Sequence, residues 1–362
     1  MIRKIPFVQM NQFCRSVFVS YGFTEEQAEA ITDVLLTADL FGIESHGVQR
    51  MVRYHDEITR GMVDVKAKPD ILYETDLSAV LDANKAMGQL TSIKAMSLAI
   101  GKADQFGIGL VTVRNSNHYG IAGYYAKMAC DHDLIGISMT NTEAIMVPTF
   151  GRQAMLGTNP IALAMPADPI PFLFDAATTV VPRGKIEIYR KMNERLPVGW
   201  AVDANGTVTQ DAALVLDHII KKKGGGILPI GGVGETLGGH KGYGLALICE
   251  LMTGIMAGGP TANHLSSLSA KADLSHCFIA VNYGLFGEKK ERKDRFSQYL
   301  QELRASAKAV GCERIYTHGE KEFENSKRIR VEGIPVNEKT YDELQKIAQA
   351  CQVDEGLLKD QQ

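Results

Sequence analysis

Within one turn or so of backbone, Glu44-Ser45-His46-Gly47-Val48-Gln49-Arg50 offers an imidazole, a hydroxyl and a guanidinium. Read as a helix, this stretch places His46, Arg50 and Tyr54 at i, i+4 and i+8, on one face and close enough to converge on a single small molecule. A ring that exchanges protons near neutral pH then stands beside a planar fork suited to a carboxylate.

Three further clusters carry chemistry. Arg114-Asn115-Ser116-Asn117-His118-Tyr119-Gly120 follows an apolar strand, and in open α/β sheets ligands sit beyond the carboxyl ends of strands. His118 is either an acid/base offered to a cleft or a polar cap on the next helix. Gly157-Thr158-Asn159-Pro160 is followed by Asp175-Ala176-Ala177-Thr178-Thr179 and Arg183-Gly184-Lys185. Asp175 ends a short apolar strand and starts an expected helix, so a plain N-cap competes with a chemical role. Gly238-Gly239-His240-Lys241-Gly242-Tyr243-Gly244 is a glycine-rich turn opening a helix, where free amides and Lys241 could hold a phosphate.

One stretch imitates a dinucleotide fingerprint. Gly232 to Gly238 is spaced GxGxxxG, and it comes too late in the chain for a first βα turn. There is no P-loop, HExxH or GxSxG, so phosphoryl-transfer, zinc-protease and α/β-hydrolase readings have no anchor. A metal-dependent hydrolase or lyase using His46, His118 and Asp175 is the rival from another class. Its ligand spacing is poor, and no metal is expected.

The elements that position these clusters alternate. A helix over Val8 to Tyr21 precedes the capping-box pattern Thr24-Glu25-Glu26-Gln27 and a helix with Ala28, Ile31, Leu35 and Ala38 on one face. Gly42 ends it just before the Glu44 segment. Helix Leu90–Phe106, strand Ile108–Val113, helix Tyr119–Asp131 and strand Leu134–Met139 follow, which argues for an α/β class. Strands are expected over Ile161–Met165, Phe172–Phe174, Ile227–Ile230, Phe278–Val281 and Arg314–Tyr316, with a tight turn at Asn205-Gly206. Helices are expected over Lys241–Met256, Arg292–Val310 and, capped by Asn337, Glu338–Cys351.

The 362 residues suffice for two or three domains. With 39 Lys+Arg against 42 Asp+Glu, and basic runs that read as solvated helix ends, nucleic acid is not an expected partner. Six scattered cysteines without a CxxC pair read as buried thiols in a reducing compartment. The start lacks a secretory pattern, so a cytoplasmic location is expected. The longest apolar run, Tyr243 to Gly259, is broken by Glu250 and four glycines, and it reads as a core helix, not a membrane span.

Taken together, ESHGVQR, NSNHYG, the LGTNP of Leu156 to Pro160, DAATT with Arg183-Gly184-Lys185, and GGHKGYG resemble the type 2 malate/L-lactate dehydrogenase family of NAD(P)-dependent oxidoreductases. Five ordered motifs make the resemblance specific, and it runs from Thr24 to Pro335. It implies an α/β, non-Rossmann dinucleotide-binding fold with a mixed, mainly antiparallel sheet and a helical domain built from both termini. Residues 1–75 and 325–362 would form that substrate and dimerisation domain, and 76–324 the NAD(P)-binding region, in one or two subdomains. A homodimer with active sites at the domain and subunit boundary is implied.

Oxidising a 2-hydroxy acid requires a proton acceptor for the hydroxyl and a clamp for the carboxylate. The resemblance gives His118 the acid/base role in hydroxy-acid dehydrogenases, whereas His46 donates the proton in some reductases. His118 is favoured here, with His46 and Ser45 orienting the oxygen, Arg50 anchoring the carboxylate and Tyr54 beside them. Asp175 stands near the nicotinamide or orients a histidine. The same resemblance points for the cofactor, NAD or NADP with NAD favoured, to Thr142, Thr158, Asn159, Asp175, Ala176, Ala177, His240, Lys241, Gly319 and Glu320. The neighbouring His318 departs from the small or turn-forming residue of many relatives.

Malate is the favoured substrate, with Arg53 and Lys185 as spare cations for a second carboxylate. Lactate, sulfolactate and ureidoglycolate are the other hydroxy acids, and an NADPH-dependent reductase of a diketo sugar acid or cyclic imine is the alternative. A non-catalytic ligand-binding module would leave two histidines and Arg50 without a task.

Overall fold

The computed structural model describes residues 2–266 and 273–360. A short strand β1 (Ile2–Ile5) leads through Pro6 into α1 (Phe7–Ser20) and α2 (Glu25–Leu40). The capping box forms as the sequence predicts: Thr24 Oγ1 accepts from Gln27 N at 3.2 Å, and Gln27 Oε1 accepts from Thr24 N at 3.0 Å. Ala28, Ile31, Leu35 and Ala38 are buried, and Gly42, at φ +78°, closes the helix end.

The Glu44 segment is not one helix. Two tight 3-10 turns, Glu44–His46 and Val48–Arg50, are separated by Gly47 at φ −85°, ψ −147°, and only then does α3 (Met51–Thr59) begin. The expected single helical face is thus replaced by a folded corner.

Strands β2 (Asp70–Glu74) and β3 (Ser78–Asp82) precede α4 (Gly88–Phe106), β4 (Ile108–Ser116), α5 (Ala122–Asp131), β5 (Ile135–Thr140), β6 (Ile161–Met165) and β7 (Phe172–Ala176). Next come α6 (Arg183–Met192), β8 (Ala201–Val202), β9 (Val208–Thr209), α7 (Ala212–Lys221), β10 (Gly226–Ile227) and α8 (Gly239–Glu250). The chain ends with β11 (Leu274–Val281), α9 (Lys289–Ala305), α10 (Glu320–Glu332), β12 (Ile334–Asn337) and α11 (Glu338–Cys351).

Seven strands form a mixed sheet in the order β2-β3-β4-β11-β5-β6-β7. Only β3 and β4 run parallel; every other neighbouring pair is antiparallel. The two-residue period divides the strands cleanly. Val111, Val113, Ala162 and Phe278 face α4 and α5, burying Ala95, Ala99, Tyr125 and Ala126. Ile137, Met139, Cys277 and Ile279 face the other way, against Cys249 and Met252 at the end of α8.

Both chain ends pack into one core. β1 pairs antiparallel with β12, and Phe13, Ile31, Tyr54, Ile334, Leu344 and Ile347 belong to one buried cluster. Asn337 caps α11 by accepting from Thr340 N at 3.0 Å. Residues 70–74, expected within the helical part, instead form an edge strand of the sheet. A smaller core joins α6 and α7 to the three-stranded sheet β10-β8-β9 through Ile186, Leu196, Val215, Leu216 and Ile227, with Gly206 at φ +83° in the expected turn.

Two further expectations fail. No strand forms at Arg314–Tyr316; Arg314 is instead held by Glu320 and Glu324 of α10, at 3.1 and 2.6 Å. The apolar run after Tyr243 is helical but not a core helix. It passes from α8 into a wider π turn over Leu251–Ile255, and Leu247, Ile248, Leu251, Ile255 and Met256 are each 44 to 54 % exposed. A window of hydropathy cannot tell a face covered within the chain from one left open.

Candidate active site

The folded corner exists because Gly47 lies directly on Asp39. A Cβ at residue 47 would stand 1.9 Å from Asp39 Oδ1, and Val48 N donates to Asp39 Oδ2 at 2.8 Å. Asp39 is 1 % exposed, and burial raises its carboxyl well above the usual range, with Glu44 adding to the rise and the Val48 amide opposing it. This contact docks Ser45, His46 and Arg50 against α2.

The two sequence-distant histidines meet. The rings of His46 and His118 stack with centroids 5.6 Å apart and planes at 22°. Ser45 Oγ lies 2.9 Å from His46 Nδ1, and Tyr54 Oη lies 2.8 Å from His118 Nδ1. Gly120 N donates to that same Nδ1 at 3.3 Å, so Nε2 is the nitrogen of His118 left for a substrate. Burial, then Arg50 and Arg53, push His46 down to about 3. Burial and then Arg53, His46 and Arg50 hold His118 well below the usual histidine value. Both shifts favour the neutral rings, and an anion bound beside the arginines would raise their proton affinity.

Arg50 Nε donates to Ser45 O at 2.6 Å, and no carboxylate pairs with Arg50 among the described residues. Arg53 does have one: its Nε donates to Glu57 Oε1 at 2.6 Å. On α6, Arg183 pairs with Glu187 at 3.0 Å, and both contribute to the field at Arg50. Lys185 is exposed.

Asp175 does not cap a helix that follows it. It lies within β7, and its Oδ2 accepts from Gly123 N at 2.7 Å, so it caps the first turn of α5 from across the fold. The chain from His118 to Gly123 is thereby tied to the end of β7. Burial raises Asp175 to about 6, the Gly123 amide opposing and Glu322 assisting.

Thr142 and Thr158 form a pair. Thr158 N donates to Thr142 Oγ1 at 2.9 Å, and the two hydroxyls are 3.3 Å apart. A side chain at Gly157 would collide with Thr142 Oγ1, 2.2 Å away. Thr178, next to Ala176-Ala177, donates through N and Oγ1 to Thr158 O at 2.9 and 3.0 Å, and Ile230 N donates to Thr178 O at 2.9 Å. The glycine turn leading into α8, whose first turn exposes His240 and Lys241, therefore adjoins the threonines. These segments form one polar cradle, and orphaned buried oxygens on Asn159 and Thr179 border it. Hydroxyls, free helix-end amides and Lys241 fit the phosphates and riboses of a dinucleotide.

The Asn159 amide nitrogen and Glu320 are engaged elsewhere. The Asn159 amide is committed to Glu250 Oε1 and Ala246 O, at 3.0 and 3.1 Å. Glu320 is 3 % exposed, and its two carboxylate oxygens meet Arg304 and Arg314. Gly319, at φ +100°, sets the start of α10 against Leu173 of β7.

Sequence reasoning overlooked Asp39, Glu57 and His276, and met Glu250 only as a break in an apolar run. His276 is fully buried, with Nδ1 2.7 Å from Thr140 Oγ1 and Nε2 2.8 Å from Ser116 Oγ. Its ring lies flat on Tyr119, 4.5 Å away. It ties the end of β4, which leads to His118, to the end of β5, which leads to Thr142. The only signal for it was a polar residue inside an apolar strand. Among the described residues no group of three or more His, Cys, Asp or Glu is placed to hold a metal ion, and no helix is long and apolar enough to cross a membrane.

The architecture is mixed α/β, with two histidines and an arginine that no carboxylate pairs among the described residues, and the comparisons with known proteins give its class. The family description "Malate/L-lactate dehydrogenase" matches residues 5–345, and the chain belongs to that family. It is 45 % identical over 346 residues to a malate dehydrogenase of Pyrococcus abyssi, covering 95 % of this chain and 94 % of the relative. An L-sulfolactate dehydrogenase of Methanocaldococcus jannaschii is 38 % identical over 333 residues, 91 % of this chain and 92 % of the relative. The crystal structure of malate dehydrogenase from Entamoeba histolytica superposes with a TM-score of 0.94 at 35 % identity, covering 98 % of this chain and 99 % of that one. The protein is thus an enzyme of the 2-hydroxy acid dehydrogenase type, a class that works with a nicotinamide cofactor.

Proposed function

We propose that the protein interconverts malate and oxaloacetate with NAD(P), NAD being the favoured dinucleotide. The observation that carries this reading is Arg50, without a carboxylate partner among the described residues, beside a His118 whose Nε2 alone is left for a substrate. A bound nicotinamide supplies the acceptor for hydride from the carbinol carbon. Arg50 clamps the adjoining carboxylate, and the His46–Ser45 pair orients the hydroxyl.

His118 Nε2 takes the hydroxyl proton when Nδ1 carries its hydrogen toward Tyr54 Oη, the tautomer in which Nδ1 no longer accepts from Gly120 N. In the reverse direction Nε2–H delivers the proton to the keto oxygen. Asp175, through Gly123, holds the α5 end of the His118 segment against β7. Thr142, Thr158, Ala176, Ala177, His240 and Lys241 hold the dinucleotide, with Asn159 and Gly319 acting through the backbone and Glu320 as the ion-pair centre that fixes Gly319.

The functional unit in this reading is a homodimer seated on the exposed apolar face of α8. The helical part from both ends binds substrate and the sheet region binds cofactor, in a cytoplasmic enzyme. Fluorescence titration with NADH and NADPH, followed by turnover of malate, lactate, sulfolactate, ureidoglycolate and piperideine carboxylate, tests it. Binding of NADH with the highest kcat/KM on malate is expected. Turnover of the cyclic imine alone, or no binding of either dinucleotide, would sink it.

A further inference from the structure

Arg53 lies three residues beyond Arg50 and directly before Tyr54. Arg53 therefore shares a side of the helix start with Arg50, at i+3, and is the foremost charge acting on Tyr54, whose hydroxyl meets His118. Glu57, one turn further on, is 8 % exposed, and it grips only the Nε edge of Arg53. The Nη groups make no further protein hydrogen bond among the described residues, and Glu57 Oε2 is a buried oxygen without a partner. The Arg53 side chain is 39 % exposed against 11 % for Glu57. The acid is the fixed half of this pair and the guanidinium the open half.

The charge of Arg53 reaches the reacting groups. It is the foremost charge acting on His118, Arg50 and Tyr54, and it follows only Arg50 in acting on His46. The other spare cations are differently placed: Lys185 is exposed on α6, and Arg183, held like Arg53 at its Nε, follows Arg53 in acting on Arg50 and is not among the charges acting on either histidine. A substrate with one carboxylate would satisfy Arg50 and leave the Nη edge of Arg53 facing water. A second carboxylate two carbons further along the substrate would meet it with charge-assisted hydrogen bonds.

We propose that Arg53 is the specificity-determining residue of this site, binding the second carboxylate of a dicarboxylic 2-hydroxy acid through its Nη edge while Glu57 holds the guanidinium in place. This rests on Arg50 being the clamp for the first carboxylate. Glu57 acts on specificity through Arg53 and is a positioning residue.

Initial-rate kinetics on malate and lactate, with parallel NADH titration, test the assignment in the parent, Arg53→Lys, Arg53→Gln and the double variant Arg53→Gln with Glu57→Gln. The double variant removes both halves of the pair, so a buried carboxylate is not left alone. Losing a hydrogen bond to a charged group typically costs about 10- to 150-fold in binding. Arg53→Gln and the double variant should therefore lower kcat/KM on malate at least about 10-fold more than on lactate, chiefly through KM.

Arg53→Lys should recover part of that difference, and NADH affinity should stay within about threefold of the parent, since Arg53 stands outside the cradle. Where lactate is a poor substrate, the ratio of inhibition constants for succinate and propionate reads the same preference. An unchanged malate-to-lactate ratio, or unchanged inhibitor ratio, overturns the role of Arg53 while leaving the dehydrogenase reading intact. A parent protein that binds no dinucleotide and turns over no 2-hydroxy acid overturns that reading and this one together.

Discussion

At the residue scale, the chemistry rests on which nitrogen of which histidine faces the substrate. His46 and His118 were both visible as candidates in the sequence, but their spacing gave no rank. The structure gives each a different partner: Nδ1 of His118 is met by Tyr54 and Gly120, and Nδ1 of His46 by its own neighbour Ser45. His118→Asn removes the proton carrier while keeping a polar side chain, and kcat on malate should fall by about 100-fold or more. Rate constants within a few fold of the parent would reassign the proton to His46. The arginines work in the same direction in both rings, since Arg50 and Arg53 help hold them neutral until an anion arrives.

At the element scale, the corner between α2 and α3 depends on a glycine that lets backbone approach a buried carboxyl. Gly47→Ala would drive a methyl group into Asp39, with distances of 1.9 to 2.4 Å to its carboxyl atoms. Asp39 is fully packed and cannot retreat, so the corner must open and carry His46 and Arg50 with it. Activity should drop by about 100-fold or more, because misplacement by about 1 Å costs that much, while far-UV circular dichroism stays close to the parent. Retained activity would show the corner to be tolerant.

Helix α8 makes the complementary case, an element with two unlike faces. Glu250 on its inner side gathers Asn159 and, more loosely, Asn141, residues adjoining the paired threonines. Leu247, Ile248 and Leu251 lie open on its outer side. Under the proposed homodimer, Leu251→Asp should shift the protein from dimer to monomer in sedimentation velocity, since a charge buried in that apolar face would be left without a partner. A sedimentation coefficient that does not change would place self-association elsewhere.

At the scale of the whole molecule, stability should depend on pH through histidines that the fold keeps uncharged. His276 is the clearest, held between Ser116 and Thr140 and pushed by burial to about 3. Its folded value is depressed below the unfolded value of 6.5, so its contribution is complete above pH 6.5 and is lost as pH falls toward 3. Asp39, Asp175 and Glu250 are shifted upward and oppose this trend on the acid side. His276→Gln should therefore flatten the acid limb of a urea-derived stability profile by about 1.4 kcal/mol per pH unit between pH 6 and 4. At pH 7 the variant should lose about 1 to 3 kcal/mol through the disturbed buried hydrogen bonds. Identical slopes in the two proteins would show that His276 is already charged in the fold.

The sequence by itself determined what depends on neighbours along the chain. The capping box at Thr24, the amphipathic α2, the stop at Gly42 and the α11 helix behind Asn337 arise from interactions spanning about four residues, so they were legible. The side chains able to carry a proton or clamp a carboxylate were legible as well, because their chemistry belongs to the residue type. Tertiary structure decided which of them act together. Asp175 caps a helix that lies 52 residues earlier in the chain, Gly47 closes on Asp39, and His276 bridges Ser116 and Thr140 from distant strands. Whether the apolar residues of α8 would be covered was likewise undecided by their order. Hydropathy states how much burial a side chain favours, and only the folded surface states what is there to bury it.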